Sequence, residues 1–387
     1  QCMTFGLGVQ HFKRQQQLLA GFGLAAWAML ASAGEFVIAQ VAPFTGPVAT
    51  EAAEFNAGIR LAFKAANVAG GIHGRQVVLR RLDDEYNPDK TVALFNQAAA
   101  TEALAALLPV GSAGMTKVLK TQLPETQKFP IVGVIPGAEP LRTPLNPYVY
   151  HVRAGDLEQY RKLVDHAVTT GLTRVAVAYA DLPFGAAGLA AIEGMLKKHS
   201  KETVARVAMP MGGKANFPEI MDALARATPD IVLLVSPSQL AGEFVKSFKA
   251  KGMSAQLGMP SYGNAETLCQ IAGNDAARGT IVAQVMPNVT NSSIPVVRRF
   301  QDDLKKYGEK DMRPSIFQLE AYVTAQVLLE AMRRAGPGLN RAKLSVALDS
   351  LKQFNTGGFT VDFSPTRHTG SDFVDISIIG RDCRLVF

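Results

Sequence analysis

The 387-residue sequence has few of the residues that staple a fold or carry out chemistry: three cysteines, one tryptophan and six histidines. Three cysteines cannot form the disulfide framework of a small secreted domain. The histidines are far apart and share no metal-ligand spacing, and His73 and His368 are expected on the surface. No G-x-G-x-x-G follows a predicted strand; Gly21-Phe22-Gly23 lies within an N-terminal apolar run. There is no Walker phosphate loop, no H-E-x-x-H and no G-x-S-x-G elbow. No cofactor is therefore expected. Ser112 sits in a glycine-bracketed turn, but no base accompanies it. After that first apolar run no second one of comparable length occurs. The formal charge is +7, with basic residues in scattered pairs such as Arg80-Arg81, Lys197-Lys198 and Arg333-Arg334. Nucleic-acid binding calls for a basic stripe with interleaved aromatics, which is missing.

The N-terminal run has the layout of a secretory signal peptide over residues 1–33. His11, Lys13 and Arg14 form a basic flank, residues 18–30 an apolar core, and Ala31-Ser32-Ala33 a small-x-small cleavage pattern before Gly34. This implies export to the periplasm. A membrane anchor is the competing reading, but the apolar core is shorter than the roughly 20 residues of a bilayer span. No cysteine stands at the cleavage point to take a lipid. The mature part would keep Cys269 and Cys383, which could pair in an oxidising compartment or remain two buried thiols. The mid-helix position of Cys269 favours the second.

The remaining ~350 residues exceed one ordinary domain of ~100–200 residues, so two are expected. Residues 37–41 form a short apolar strand, Pro43-Phe44-Thr45-Gly46-Pro47 a turn, and Phe55, Ile59 and Phe63 one face of a helix. The same unit recurs. Strands are predicted at 76–82, 104–110, 129–135 and 148–153, then at 174–179, 203–209, 230–235, 256–260 and 280–285, with helices between most of them. Such alternation gives an α/β fold with parallel sheets covered on both faces. The last part departs from it. Helices at 294–307, 315–335 and 341–351 precede strands at 358–363 and 373–379, which suggests that the chain crosses back to complete the first domain. In the second of these helices Tyr322, Ala325, Leu328, Leu329 and Met332 form a core stripe.

Ligands of open α/β sheets bind at the C-terminal ends of the strands. Here those ends are rich in Gly, Ser and Thr, and several precede helices: Gly111-Ser112, Pro136-Gly137-Ala138, Asp181 to Gly185, Ser236-Pro237-Ser238 and Ser261-Tyr262-Gly263. Free N–H groups at helix N-termini and close backbone approach suit a carboxylate. This is chemistry for binding, with no acid–base pair in view.

The order of these motifs resembles the periplasmic leucine/isoleucine/valine-type solute-binding proteins of ABC importers. The resemblance covers the whole mature chain. It rests on Pro43 to Pro47, Asn67 with Gly70-Gly71-Ile72-His73-Gly74, Asp83-Asp84 with Asn87-Pro88, Gly111-Ser112, Arg153 with Asp156, Asp181 with Phe184-Gly185, and Pro260 before Gly263-Asn264. It implies a type I periplasmic binding protein fold: two Rossmann-like parallel-sheet lobes joined by crossing hinge strands. Lobe one would be 34–153 plus 287–362, and lobe two 154–286 plus 363–387. Carried over by position, the family's α-carboxylate site falls on Ser112 and on Gly137-Ala138, its stacking aromatic on Phe184, and its second-lobe contacts on Ser236, Ser261 and Tyr262. Two positions depart from the pattern. Glu51 stands where an aromatic is usual, and Ser261 where an acid that holds the ligand amine is expected.

The resemblance implies a monomeric receptor that takes an amino acid or organic acid to an inner-membrane permease, with no reaction and no nucleic-acid partner. A ligand-binding sensor and a secreted α/β enzyme acting on small acids are the alternatives. Glu51 itself has three readings: a solvated acid in the first helical turn, a surface partner for a nearby Arg or Lys, or a cleft residue that replaces the acid missing at Ser261.

Overall fold

The computed structural model describes residues 34–310 and 312–387, so the signal-peptide segment lies outside the described residues. In lobe one the chain runs β1 (Phe36–Ala42), α1 (Ala49–Val68), β2 (Val77–Asp83), α2 (Pro88–Ala99), β3 (Ala105–Leu107), α3 (Ser112–Lys120), α4 (Leu123–Thr126), β4 (Ile131–Val132) and β5 (Val149–Tyr150). These five strands form a parallel sheet of order β2-β1-β3-β4-β5. Both its faces are covered, so β1 is apolar and buried throughout except for the polar Gln40.

The second unit begins with α5 (Asp156–Thr169), β6 (Val175–Ala180), α6 (Pro183–Lys198), β7 (Thr203–Met209), α7 (Phe217–Ala227), β8 (Ile231–Val235) and α8 (Ser238–Ala250). It continues with β9 (Gln256–Met259), α9 (Ala265–Ala272), α10 (Asn274–Ala277) and β10 (Ile281–Gln284). The chain then returns to the first unit as α11 (Pro295–Tyr307), α12 (Ile316–Arg334), α13 (Arg341–Asp349) and a small hairpin, β11 (Phe354–Asn355) with β12 (Thr360–Val361). It ends at the second sheet as β13 (Asp375–Ile379) and β14 (Leu385–Val386), giving the order β14-β13-β10-β9-β8-β6-β7. It therefore passes between the sheets three times, before α5, after β10 and after β12.

The predicted all-parallel second sheet needs correction. β13 runs antiparallel to β10, and β14 antiparallel to β13. A parallel addition needs a crossover of a dozen or more residues, usually a helix. Here the chain leaves β10 for lobe one at Gln284 and returns to that same strand end at Asp375, so β13 has to run back along β10. The expectation of two separate thiols also fails. The tail folds back beside α9 and joins Cys383 to Cys269 in a disulfide, with Cα atoms 6.2 Å apart and a sequence separation of 114.

The core of lobe one is built on α1 and α12. Phe55, Ile59 and Phe63 of α1 are buried, as are Tyr322, Ala325, Leu328, Leu329 and Met332 of α12. The two helices cross so closely that a Cβ on Gly58 would lie 2.2 Å from the Gln318 carbonyl oxygen. Only glycine fits there. Ser315 starts α12 with a capping box: its hydroxyl accepts from Gln318 N–H, and the Gln318 side chain accepts from Ser315 N–H. His368, expected on the surface, is 5% exposed. It stacks on Tyr150 at 4.1 Å and faces the Asn146 and Val149 carbonyls and Asp349. The reason is topological: His368 lies on the last crossing between the sheets, which passes through the interior, and His151 N–H donates to its carbonyl.

Candidate functional site

Strand ends from both sheets open onto one cleft. On the lobe-one side, Asp83 fixes the first turn by accepting from Phe44 N–H at 2.9 Å, Thr45 N–H at 3.3 Å and the Thr45 hydroxyl at 2.9 Å. This sets the direction in which α1 leaves. After β2, Glu85 and Tyr86 both adopt left-handed backbone, with φ of 54° and 59°. That reversal turns the Tyr86 ring over the cleft, against Gly111. Gly111, at φ 106°, precedes α3, and Ser112 is the first residue of that helix. On the lobe-two side, Phe184 lies at the start of α6 and Ser236-Pro237-Ser238 at the start of α8. Six helix N-termini, of α1, α3, α5, α6, α8 and α12, thus border one space of about 630 Å³ counted to its open mouth.

The walls are mostly apolar. Val48, Phe55, Tyr86, Val110, Ile135 and Phe317 line the lobe-one side, and Phe184 and Pro237 face them. The polar lining consists of Glu51, Ser112, Asp156, Ser236, Ser238 and Tyr262, with no Lys, Arg or His among the described residues. Among the described residues there is also no cluster of three or more His, Cys, Asp or Glu that could hold a metal ion.

Glu51 is only 7% exposed. This overturns the solvated-acid and surface-partner readings, because the first turn of α1 points its side chain inward. Burial is the dominant influence and raises its pKa above the ordinary 4.5. Burial likewise raises the Tyr86 pKa, helped by the charges of Asp84 and Glu51. Ser236 is 1% exposed, and its hydroxyl has no hydrogen-bond partner. The Ser238 hydroxyl donates to the Tyr262 carbonyl at 2.7 Å and accepts from Asn264 N–H at 2.9 Å, and it also lies beside the Glu51 carboxylate, whose charged form it favours against the effect of burial.

Of the residues singled out in the sequence, Glu51, Ser112, Phe184, Ser236 and Tyr262 come together on the cleft, whereas Gly137, Ala138 and Ser261 do not reach its lining. The Gly137 N–H donates to the Tyr262 hydroxyl at 2.8 Å, which donates in turn to Asp156 at 2.5 Å. A Cβ on Gly137 would lie 2.2 Å from that carboxylate. Its glycine therefore serves close approach of the hinge. The Ser261 hydroxyl accepts from the Arg153 guanidinium, which also meets Glu320 of α12 at 3.3 Å, all three groups being buried. Sequence reasoning missed Tyr86, Asp156, Phe55 and Phe317 as lining. The first two could have been found, because Asp83-Asp84 and Arg153-Asp156 are strand-end motifs of the same kind as the turns that were chosen.

Comparison with known proteins gives a consistent result. A family model described as "Periplasmic binding protein" matches residues 35–376. A Leu/Ile/Val-binding protein homolog of Brucella melitensis is 24% identical over 363 residues, spanning 93% of this chain and 96% of the relative. The crystal structure of a substrate-binding periplasmic protein from Ralstonia solanacearum superposes with a TM-score of 0.84 at 33% identity, over 89% of this chain and 98% of that one. An extracellular ligand-binding receptor from Verminephrobacter eiseniae gives 0.82 at 31% identity, over 91% and 100%.

Proposed function

The chain belongs to the periplasmic binding protein family, and from that premise we propose that it captures a small carboxylate-bearing solute, with an amino acid as the favoured case, and delivers it to an inner-membrane ABC permease. The family binds solutes and does not transform them, so the chain is not an enzyme. The Leu/Ile/Val name of the Brucella relative supports an amino acid.

The observation that carries this reading is Glu51, a buried carboxylate in an apolar cleft without a lining cation, across from the N-terminus of α3. Cleft and charge together call for a ligand with a cationic group. Left unpaired, such a charge is costly in an apolar site. The ligand's ammonium meets Glu51. Its carboxylate meets the Ser112 hydroxyl and the N–H groups of the first turn of α3, where the helix dipole favours an anion. Its apolar body lies among Phe55, Tyr86, Phe184 and Phe317. The Ser236 hydroxyl supplies a contact from lobe two. Ligand contacts to both lobes at once exist only in the closed form, so binding favours closure.

A thermal-shift screen of α-amino acids, aromatic acids and short dicarboxylates tests the proposal. At about 1,000 times its Kd a ligand adds roughly 4 kcal/mol of stability. A marked upward shift with one or more amino acids is expected. A shift with des-amino acids alone would overturn the amino acid assignment, and no shift across all three classes would overturn the carboxylate reading.

A further inference from the structure

Outside the ligand cleft, among the described residues, one side-chain hydrogen bond joins helix starts of opposite lobes. Glu54 lies one turn after Glu51 on α1. One of its carboxylate oxygens accepts from the Ser315 hydroxyl, the N-cap of α12 within the same lobe. The other accepts from the Asn264 side-chain amide at 3.0 Å. Asn264 is the N-cap of α9 in lobe two and is 4% exposed. We propose that Glu54 and Asn264 form a latch between the lobes, and that this latch sets how readily the protein closes whichever solute it carries.

The geometry favours this because both partners are aimed before they meet. The Asn264 carbonyl oxygen accepts from Thr267 N–H at 3.0 Å, as an N-cap does. With its oxygen held by the cap, its NH2 group has to point across to lobe one. The Ser315 cap holds the Glu54 carboxylate, so one oxygen stays available to face Asn264. A bond between two oriented groups loses little side-chain entropy on forming, and its acceptor is charged. The contact is also tied to the cleft. The Asn264 N–H donates to the Ser238 hydroxyl, which donates to the Tyr262 carbonyl, and Ser238 and Tyr262 both line the ligand space. Other polar contacts between the lobes, among them Gly137 with Tyr262 and Asp156, Arg153 with Ser261, Arg142 with Thr369 and His368 with Asp349, lie along the crossing strands and hold the chain where it bends. Glu54 with Asn264 joins two helix starts.

The latch touches no part of the proposed ligand, so its effect is uniform. A protein whose closed form is less populated binds every ligand more weakly by the same factor. This separates the latch from Glu51, whose effect depends on a ligand amine.

The test uses the mature chain without ligand, carrying a donor and an acceptor dye on the two lobes, and reads the open-to-closed ratio by single-molecule energy transfer. This readout does not depend on the identity of the solute, so its failure is distinct from a failure of the amino acid proposal. Asn264→Ser keeps a capping oxygen for α9 and removes the donor; Glu54→Ala removes the acceptor. Each is expected to raise the open-to-closed ratio about tenfold, the effect of one hydrogen bond to a charged group. The double variant is expected to go no further than either single one, as for two halves of one contact. Circular dichroism confirms that each variant is folded. Open-to-closed ratios equal to that of the wild type in both single variants would overturn the proposal, as would two effects that simply add in the double variant.

Discussion

The two walls of the cleft are built from the same kind of strand end, yet their polar groups are in different states. On lobe one, Glu51 is buried without a cation, and Ser112 opens a helix whose first N–H groups face the space. On lobe two, the polar groups are mostly committed already. Tyr262 bridges Gly137 and Asp156, Ser238 bridges Tyr262 and Asn264, and only the Ser236 hydroxyl is without a partner. Under the proposed function, lobe one is the side that would recognise a ligand and lobe two the side that would close on it. The scaffolds differ in the same sense. The lobe-one sheet is wholly parallel, whereas lobe two ends in antiparallel strands and carries the Cys269–Cys383 disulfide.

The largest effect should come from breaking that scaffold difference. A disulfide closing a loop of this length stabilises by about 5 kcal/mol in the chain-entropy view. Cys269→Ser with Cys383→Ser should lower the unfolding free energy by an amount of that order in guanidinium titrations. An unchanged midpoint would mean that lobe two needs no staple. Next comes the carboxylate end of the site. Ser112→Ala should weaken binding by tenfold to a hundredfold in calorimetry, from about 1.5–3 kcal/mol for a charge-assisted bond, with the melting temperature little changed. Full retention of affinity would move the acid group away from α3.

A pH series sharpens the contrast further. Burial raises the Glu51 pKa above 4.5. Below that raised value the free protein holds a proton that an ammonium ligand must displace. Affinity for an amine-bearing ligand should therefore rise with pH through the raised Glu51 pKa and level off above it, with proton release visible in buffers of different ionisation enthalpy. Without ligand the sign is opposite. The folded state binds the proton more tightly than the unfolded one, so the Glu51 contribution to stability is most favourable in acid and is lost as pH rises from 4.5 through the folded value. The smallest effect should be that of Ser236→Ala, which removes an unpartnered buried hydroxyl. It should raise ligand-free stability by up to about 1 kcal/mol and weaken binding several-fold. If neither changes, lobe two makes no polar contact with the ligand.

Much of the fold was legible because period and punctuation agree with it. Phe55, Ile59 and Phe63, and the stripe from Tyr322 to Met332, are buried as their spacing implies. Strand lengths were less legible. The run 104–110 pairs only over Ala105–Leu107, because Leu108 takes a left-handed φ of 51°. The run 129–135 pairs only over Ile131–Val132, because Gly133 turns at φ 72°. Neither reversal is written in the apolar pattern. The disulfide was not legible because it depends on where the tail returns, 114 residues after Cys269. In the site, Ser112, Phe184, Ser236 and Tyr262 at strand ends were found, whereas Tyr86 and Asp156 at ends of the same kind were not. Residues brought in by another part of the chain, such as Phe317 from α12, were not found either, since only the crossing at Gly58 places that helix beside α1. Glu54 was not singled out, because its partners Asn264 and Ser315 lie more than two hundred residues away.

The central claim, that recognition resides in lobe one with Glu51 as the counter-charge, is tested most directly by a pair of titrations. Wild type and Glu51→Gln are each titrated with the best-binding amino acid and with its des-amino analogue. The account predicts that Glu51→Gln loses most of its affinity for the amino acid, about a hundredfold for an unpaired ammonium in an apolar site, while its affinity for the des-amino acid is retained. Tight and equal binding of the amino acid by both proteins would contradict it.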